Sequence, residues 1–235
     1  MNSNDDDLSI GTLDLEEEYT VEARILFEYD DTNVRIIFEH ENDFFVTQEG
    51  SGGGGAREFE VAVQNAGGSQ ILAYGGIEEN VFVHCAFSNS VSEGKSFLTL
   101  NEVEVEGANL SAAGLTQFLI GRGSTGDDSD QNAKMSIREV RIWKECRIRG
   151  VLLQTLYNYL DSAQEPLLYR YWKMDEDTGT VLHETVLNQD FDISYNSAPQ
   201  WKNKDYVPQM CTTDQYYDSQ NDSCENTSGI FIIKL

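Results

Sequence analysis

Residues 19–29 read Tyr-Thr-Val-Glu-Ala-Arg-Ile-Leu-Phe-Glu-Tyr. Odd positions carry Tyr19, Val21, Ala23, Ile25, Phe27 and Tyr29, while the even ones include Thr20, Glu22, Arg24 and Glu28. Side chains of a strand alternate between its two faces, so this period of two predicts a half-buried strand, apolar inside and polar outside. The same period spreads along the chain. Residues 30–33 form a turn of Asp, Thr and Asn, and Val34, Ile36 and Phe38 begin another strand. Residues 44–47 make a third strand. Residues 50–55, with five glycines, make a flexible loop. Alternation returns at Phe59, Val61 and Val63, and again at Val81, Val83, Cys85 and Phe87. Residues 96–106 read as a hairpin breaking at Asn101-Glu102, and residues 118–120 and 135–143 as further strands. Residues 167–174 form a nearly continuous apolar and aromatic run, expected as a central strand. Helical period occurs in one segment, where Leu152, Leu153, Leu156, Tyr157 and Leu160 share a face, ended at Pro166 because proline cannot continue a helix. Roughly a dozen strands at this spacing predict an all-β fold: a two-sheet antiparallel jelly-roll sandwich with one short helix.

At 235 residues the chain has room for one large domain or two small ones. Beyond Lys204 the composition shifts to Asp, Gln, Tyr, Ser and Cys, which predicts a sandwich over 1–204 and a short cysteine-rich segment over 205–235. The 16 Lys and Arg face 41 Asp and Glu, a formal net charge of −25. Phosphate binding needs a basic face, so this balance argues against nucleic acid and equally against anionic lipid. It fits a self-repelling surface with sites for hard cations such as Ca²⁺, which take carboxylate oxygens. A halophilic origin accounts for it equally. No apolar run approaches the roughly 20 residues of a membrane span, so no membrane insertion by this segment is expected. The opening Met1-Asn-Ser-Asn-Asp-Asp-Asp has neither the basic nor the apolar region of a secretory signal, and the closing Gly229-Ile-Phe-Ile-Ile-Lys-Leu235 reads as a truncated strand, so an excerpt of a longer polypeptide is expected.

The four cysteines, Cys85, Cys146, Cys211 and Cys224, form no CxxC, and His40, His84 and His183 are scattered, which argues against zinc. Cys211 and Cys224 enclose a short polar segment and are expected to form a disulfide loop. Three glycosylation sequons begin at Asn109, Asn221 and Asn226. Together these features point to an extracellular or cell-surface location.

Residues 81–87, Val-Phe-Val-His-Cys-Ala-Phe, with Gly94-Lys-Ser-Phe-Leu-Thr-Leu-Asn-Glu-Val-Glu-Val-Glu-Gly107, resemble the "W-x-H-V-A … lyvNG" hairpin of laminin G-like and pentraxin-like jelly rolls. Leu119-Ile-Gly-Arg-Gly123 resembles "l-x-i-G", and Met135-Ser-Ile-Arg-Glu-Val-Arg-Ile-Trp143 resembles "i-d-e-V-r-i-W". Residues 167–179 resemble "g-L-v-a-Y-W-x-f-D-E-g-s-G", a strand followed by a tight turn in which Gly179 permits positive φ. Asn196-Ser-Ala-Pro-Gln-Trp201 resembles the closing "n-g-a-x-W". The likeness covers about residues 8 to 204 and implies the concanavalin A-like fold. The last 30 residues resemble the opening of a cysteine-rich repeat. Pentraxins join two core strands by a disulfide; Cys85 matches one of its positions, but Glu22 stands at the other. The resemblance therefore implies that Cys85 is a buried free thiol or pairs elsewhere, with Cys146 the candidate.

The densest oxygen cluster is Asp127, Asp128 and Asp130 within residues 126–132. Three carboxylates so close repel unless a cation or solvent screens them. Pentraxin-like domains bind Ca²⁺ with acidic residues in this loop and with an Asp-Asn pair before an earlier strand. The resemblance carries Asn33 over to that pair; Thr32 departs from it, and Asp31 is the stand-in. An EF-hand over Asp128, Asp130, Asn132 and Glu139 fails, because Ala133 occupies the required glycine place and a strand follows. Glu102, Glu104 and Glu106 share one strand face, as the carboxylates of glycosidases on this fold do. The middle residue is Glu rather than Asp, and the segment aligns with a surface hairpin, so a solvated strand edge is expected there. No G-x-S-x-G, HExxH or phosphate-binding loop is present, and the chain is not expected to be an enzyme. The sequence thus predicts an extracellular recognition or adhesion module that binds glycan or protein, with Ca²⁺ as the candidate ion. The competing readings are a structural domain packing against neighbouring domains or copies of itself, and, more remotely, a glycoside hydrolase.

Overall fold

The computed structural model describes residues 8–27, 35–41, 44–50, 58–65, 70–78, 82–111, 113–121, 135–156, 159–176, 179–192, 215–218 and 223–226. In chain order the strands are β1 Leu8–Glu16, β2 Glu18–Phe27, β3 Arg35–His40, β4 Phe44–Gly50, β5 Glu58–Asn65, β6 Gln70–Glu78, β7 Phe82–Ser90, β8 Lys95–Leu100, β9 Val103–Ala108, β10 Ala113–Ile120 and β11 Met135–Trp143. Helix α1, Arg149–Thr155, follows, and then a 3₁₀ turn, Ser162–Gln164. The remaining strands are β12 Leu168–Trp172, β13 Val181–Glu184, β14 Gln189–Asp192, β15 Gln215–Asp218 and β16 Ser223–Asn226. A six-stranded sheet runs β1-β10-β3-β4-β5-β6 and an eight-stranded sheet β14-β13-β12-β11-β2-β7-β8-β9. β15 and β16 pair separately. All the described pairings are antiparallel, as the predicted jelly-roll sandwich requires.

The core lies between the two sheets. From the eight-stranded sheet come Tyr19, Val21, Ala23, Ile25, Cys85, Phe87, Val140, Ile142 and Trp172; from the six-stranded sheet come Phe38, Phe44, Val46, Val61, Val63 and Phe118. Aromatic rings pin the sheets together. Tyr19 stacks on Phe44 at 5.7 Å between centroids, and Phe87 lies 4.9 Å from Phe44 and 6.0 Å from Tyr19. Each fully buried side chain of this size contributes roughly 1.5–3 kcal/mol. Cys85 is a free thiol in this core, and Cys146, half-buried outside it, is free as well. Burial pushes the Cys85 thiol up to about 12, so it behaves as a small apolar side chain. The three histidines stay apart. His40 is buried between the sheets, 3.0 Å from the Leu13 carbonyl, His84 is buried on β7, and exposed His183 pairs with Asp190.

Four expectations change. β2 is buried on both faces, since Thr20, Glu22 and Arg24 are as enclosed as their apolar neighbours; what covers them is the chain that follows β11. The helix covers Arg149–Thr155 and not the whole span from Leu152 to Leu160. The apolar run after Pro166 supplies β12 over Leu168–Trp172, third from the sheet edge rather than central. β1, β6, β13, β14, β15 and β16 add to the strands read from periodicity. The hairpin turn at Asn101-Glu102 is as expected: Asn101 adopts φ +52, which asparagine tolerates, and its side-chain oxygen accepts the His84 backbone N–H at 2.8 Å. Gly179 takes the positive φ expected of it, +89°.

Candidate functional site

The expected ion ligands Asp127, Asp128, Asp130, Asp31 and Asn33 lie outside the described residues, and so do Cys211 and Asn221. Cys224 and Asn226 fall on β16, where the backbone alone is described. The described flanks nevertheless fix where the two acidic segments attach. β2 ends at Phe27, directly opposite Met135, the first residue of β11. Phe38 of β3 lies opposite Ile120, the last residue of β10. Segment 28–34 therefore joins the eight-stranded sheet to the six-stranded one, and segment 122–134 joins the six-stranded sheet back to the eight-stranded one. Gly121, at φ +83°, closes the end of β10: its N–H donates to the Ile37 carbonyl at 2.9 Å, and a Cβ there would sit 3.7 Å from Met135 Cε. The strand ends that these two acidic segments connect thus adjoin at one end of the sandwich. Among the described residues no three His, Cys, Asp or Glu side chains converge as a metal site.

The three-glutamate strand has a structural account. Glu104 of β9 reaches over to α1, whose first residue, Arg149, donates its N–H to Glu104 Oε2 at 2.5 Å. The residue before the helix, Ile148, offers no capping side chain, so Glu104 satisfies that helix end from another strand. Glu106 pairs with Lys95 at 2.9 Å, and Glu102 is exposed in the turn. β9 is an edge of the eight-stranded sheet, where charge also opposes pairing with other strands. Replacing Glu104 by Ala is expected to lower stability by about 1 kcal/mol, whereas Glu102→Ala stays within about 0.5 kcal/mol; chemical denaturation of the two variants checks the difference.

The sequence reading missed a buried charge cluster on the outer face of the eight-stranded sheet, beneath α1. Glu22 accepts from the Trp143 indole N–H at 2.7 Å and lies 2.5 Å from His84 Nε2. A carboxylate only accepts, so the His84 proton sits on Nε2. Arg141 stands 3.6 Å from Glu22, donates to Glu139 Oε2 at 2.8 Å and, through Nη1, to the carbonyl of Thr155 at 3.0 Å. Arg141 thereby closes the C-terminal end of α1 as Glu104 closes the other. The intervening strap is tied down too. Thr20 Oγ1 accepts the Arg147 N–H at 2.8 Å, Ser88 donates to the Arg147 carbonyl at 2.8 Å, and the Arg147 guanidinium stacks 3.5 Å above Trp143. Trp143, Leu168 and Tyr171 form a second apolar cluster under this cover, packed by Leu160 and Val186.

Burial alone would push the Glu22 carboxyl up; the His84 hydrogen bond, the Arg141 charge and the Trp143 N–H outweigh it and hold it near 2. Burial wins at Glu139, whose carboxyl is raised despite Arg141, Arg24 and Arg138, and whose Oε1 is buried without a partner. This placement also disposes of the EF-hand, because its last ligand would be Glu139, a buried partner of Arg141. The readable signal was a run of charged residues on adjacent strands, Glu22 facing Arg141 and Arg24 facing the like-charged Arg138, next to a leucine-faced helix that needs a surface to dock on.

Asn109, the described sequon residue, is half-buried and donates its amide to the Leu110 carbonyl at 2.8 Å. A family model described as the concanavalin A-like lectin/glucanases superfamily matches residues 2–148. The chain belongs to that superfamily. No curated protein matches it in sequence. Among solved structures it is similar to a candidate carbohydrate-binding protein from Bacteroides ovatus (19% identity, TM-score 0.60), covering 81% of this chain and 58% of that one. It is also similar to a heptameric SAP-like pentraxin from Limulus polyphemus (16% identity, TM-score 0.59), covering 83% of this chain and 91% of that one. A third similarity is to the enzymatically active domain of tailspike protein 2 from bacteriophage CBA120 (13% identity, TM-score 0.51), over 73% of this chain and 29% of that one. At such identities the likeness establishes the fold. The chain thus spans a little over half of the Bacteroides structure, at 58%. No helix among the described residues is long and apolar enough to cross a membrane.

Proposed function

We propose that the chain is a glycan-recognition module of the extracellular space or cell surface. Ca²⁺ is held at one end of the sandwich by Asp127, Asp128, Asp130, Asn33 and Asp31, and sugar hydroxyls complete its coordination. One observation carries the reading: the β2–β3 connection, which holds Asp31 and Asn33, begins after Phe27, and the β10–β11 connection, which holds the three aspartates, ends at Met135, the strand partner of Phe27. The donor set fits a hard cation, being carboxylate and amide oxygens throughout. Superfamily membership supports a carbohydrate ligand, although lectins and glucanases share this fold and fold alone does not fix function. Against hydrolysis stand the occupations of Glu104 and Glu106, which hold α1 and Lys95. Residues 205–235, with Cys211 bonded to Cys224, complete the proposal as a separate short module, and Asn109, Asn221 and Asn226 as glycan acceptors. On a glycan array the protein is expected to bind a subset of glycans in Ca²⁺ and to release them in chelator. Binding that survives chelator removes the ion from the mechanism, and an array without binding removes the glycan.

A further inference from the structure

We draw no further inference here: the strongest candidate, the buried Glu22–His84–Arg141–Glu139 cluster beneath α1 on the outer face of the eight-stranded sheet, carries nothing beyond the helix anchoring already described, because all that marks it further is the titration of its carboxyls.

Discussion

Glu22→Ala is expected to cost about 3–5 kcal/mol of stability, the range for breaking a buried ion pair from one side. The substitution removes the acceptor of the Trp143 N–H and of His84 Nε2, and it takes the counter-charge from Arg141. All three partners are nearly or wholly buried, so water does not replace what is lost. Each orphaned donor costs about 1–3 kcal/mol, more when charged. Urea unfolding measures the loss as a lower midpoint at unchanged slope. Because Arg141 also holds the Thr155 carbonyl, α1 amides should lose hydrogen-exchange protection in the same variant. A loss below about 1 kcal/mol, of the size expected for an exposed pair, would mean that the cluster does not anchor the cover.

Stability should also fall in acid between pH 4.5 and about 2, by an amount on the order of 3 kcal/mol from Glu22. The folded protein holds this carboxyl near 2, below the ordinary 4.5. Its contribution is therefore complete above 4.5 and disappears as the pH drops toward the folded value. Glu139 acts in the opposite sense, since burial raises its carboxyl and its protonation relieves a buried charge. That effect lies above pH 4.5, so the limb below 4.5 is the one that belongs to Glu22. In Glu22→Gln, which cannot titrate, the limb between pH 4.5 and 2 should flatten relative to the parent chain. Parallel curves for the two proteins would show that other carboxyls carry the acid sensitivity.

Strand periodicity made the inner faces of β2, β7 and β11 legible, because each alternation is set by one shared core. The outer face of β2 was not legible in the same way. Thr20, Glu22 and Arg24 have the composition of a solvent face, and what buries them, the segment after Trp143, is remote in sequence. A helix of only 7 residues such as α1 gives too few positions for its period to mark its ends, so Leu160 was counted within it. β1 escaped because its register to β10 shifts between Ser9 and Thr12, which breaks the alternation. β6 has Gly75 and Gly76 in its interior and two shifts against β5, and β13 and β14 have four residues each. Glu104 illustrates the same limit at the site. Its strand position was plain, but the helix N–H that it satisfies lies 45 residues along the chain. The resemblance named the concanavalin A-like fold, which the family match bears out over residues 2–148, while β12–β14 complete the eight-stranded sheet beyond that match.

The proposed ion site is the claim on which the functional reading turns, and calorimetric titration of Ca²⁺ into the chelator-treated chain tests it most directly. A saturable exchange is expected with a dissociation constant between about 10⁻⁴ and 10⁻³ M, the range of extracellular Ca²⁺ modules. It should vanish in the combined Asp127→Asn, Asp128→Asn and Asp130→Asn variant while the denaturation midpoint without Ca²⁺ is retained. A flat titration of the parent chain at millimolar Ca²⁺, or unchanged binding by the triple variant, would contradict the account.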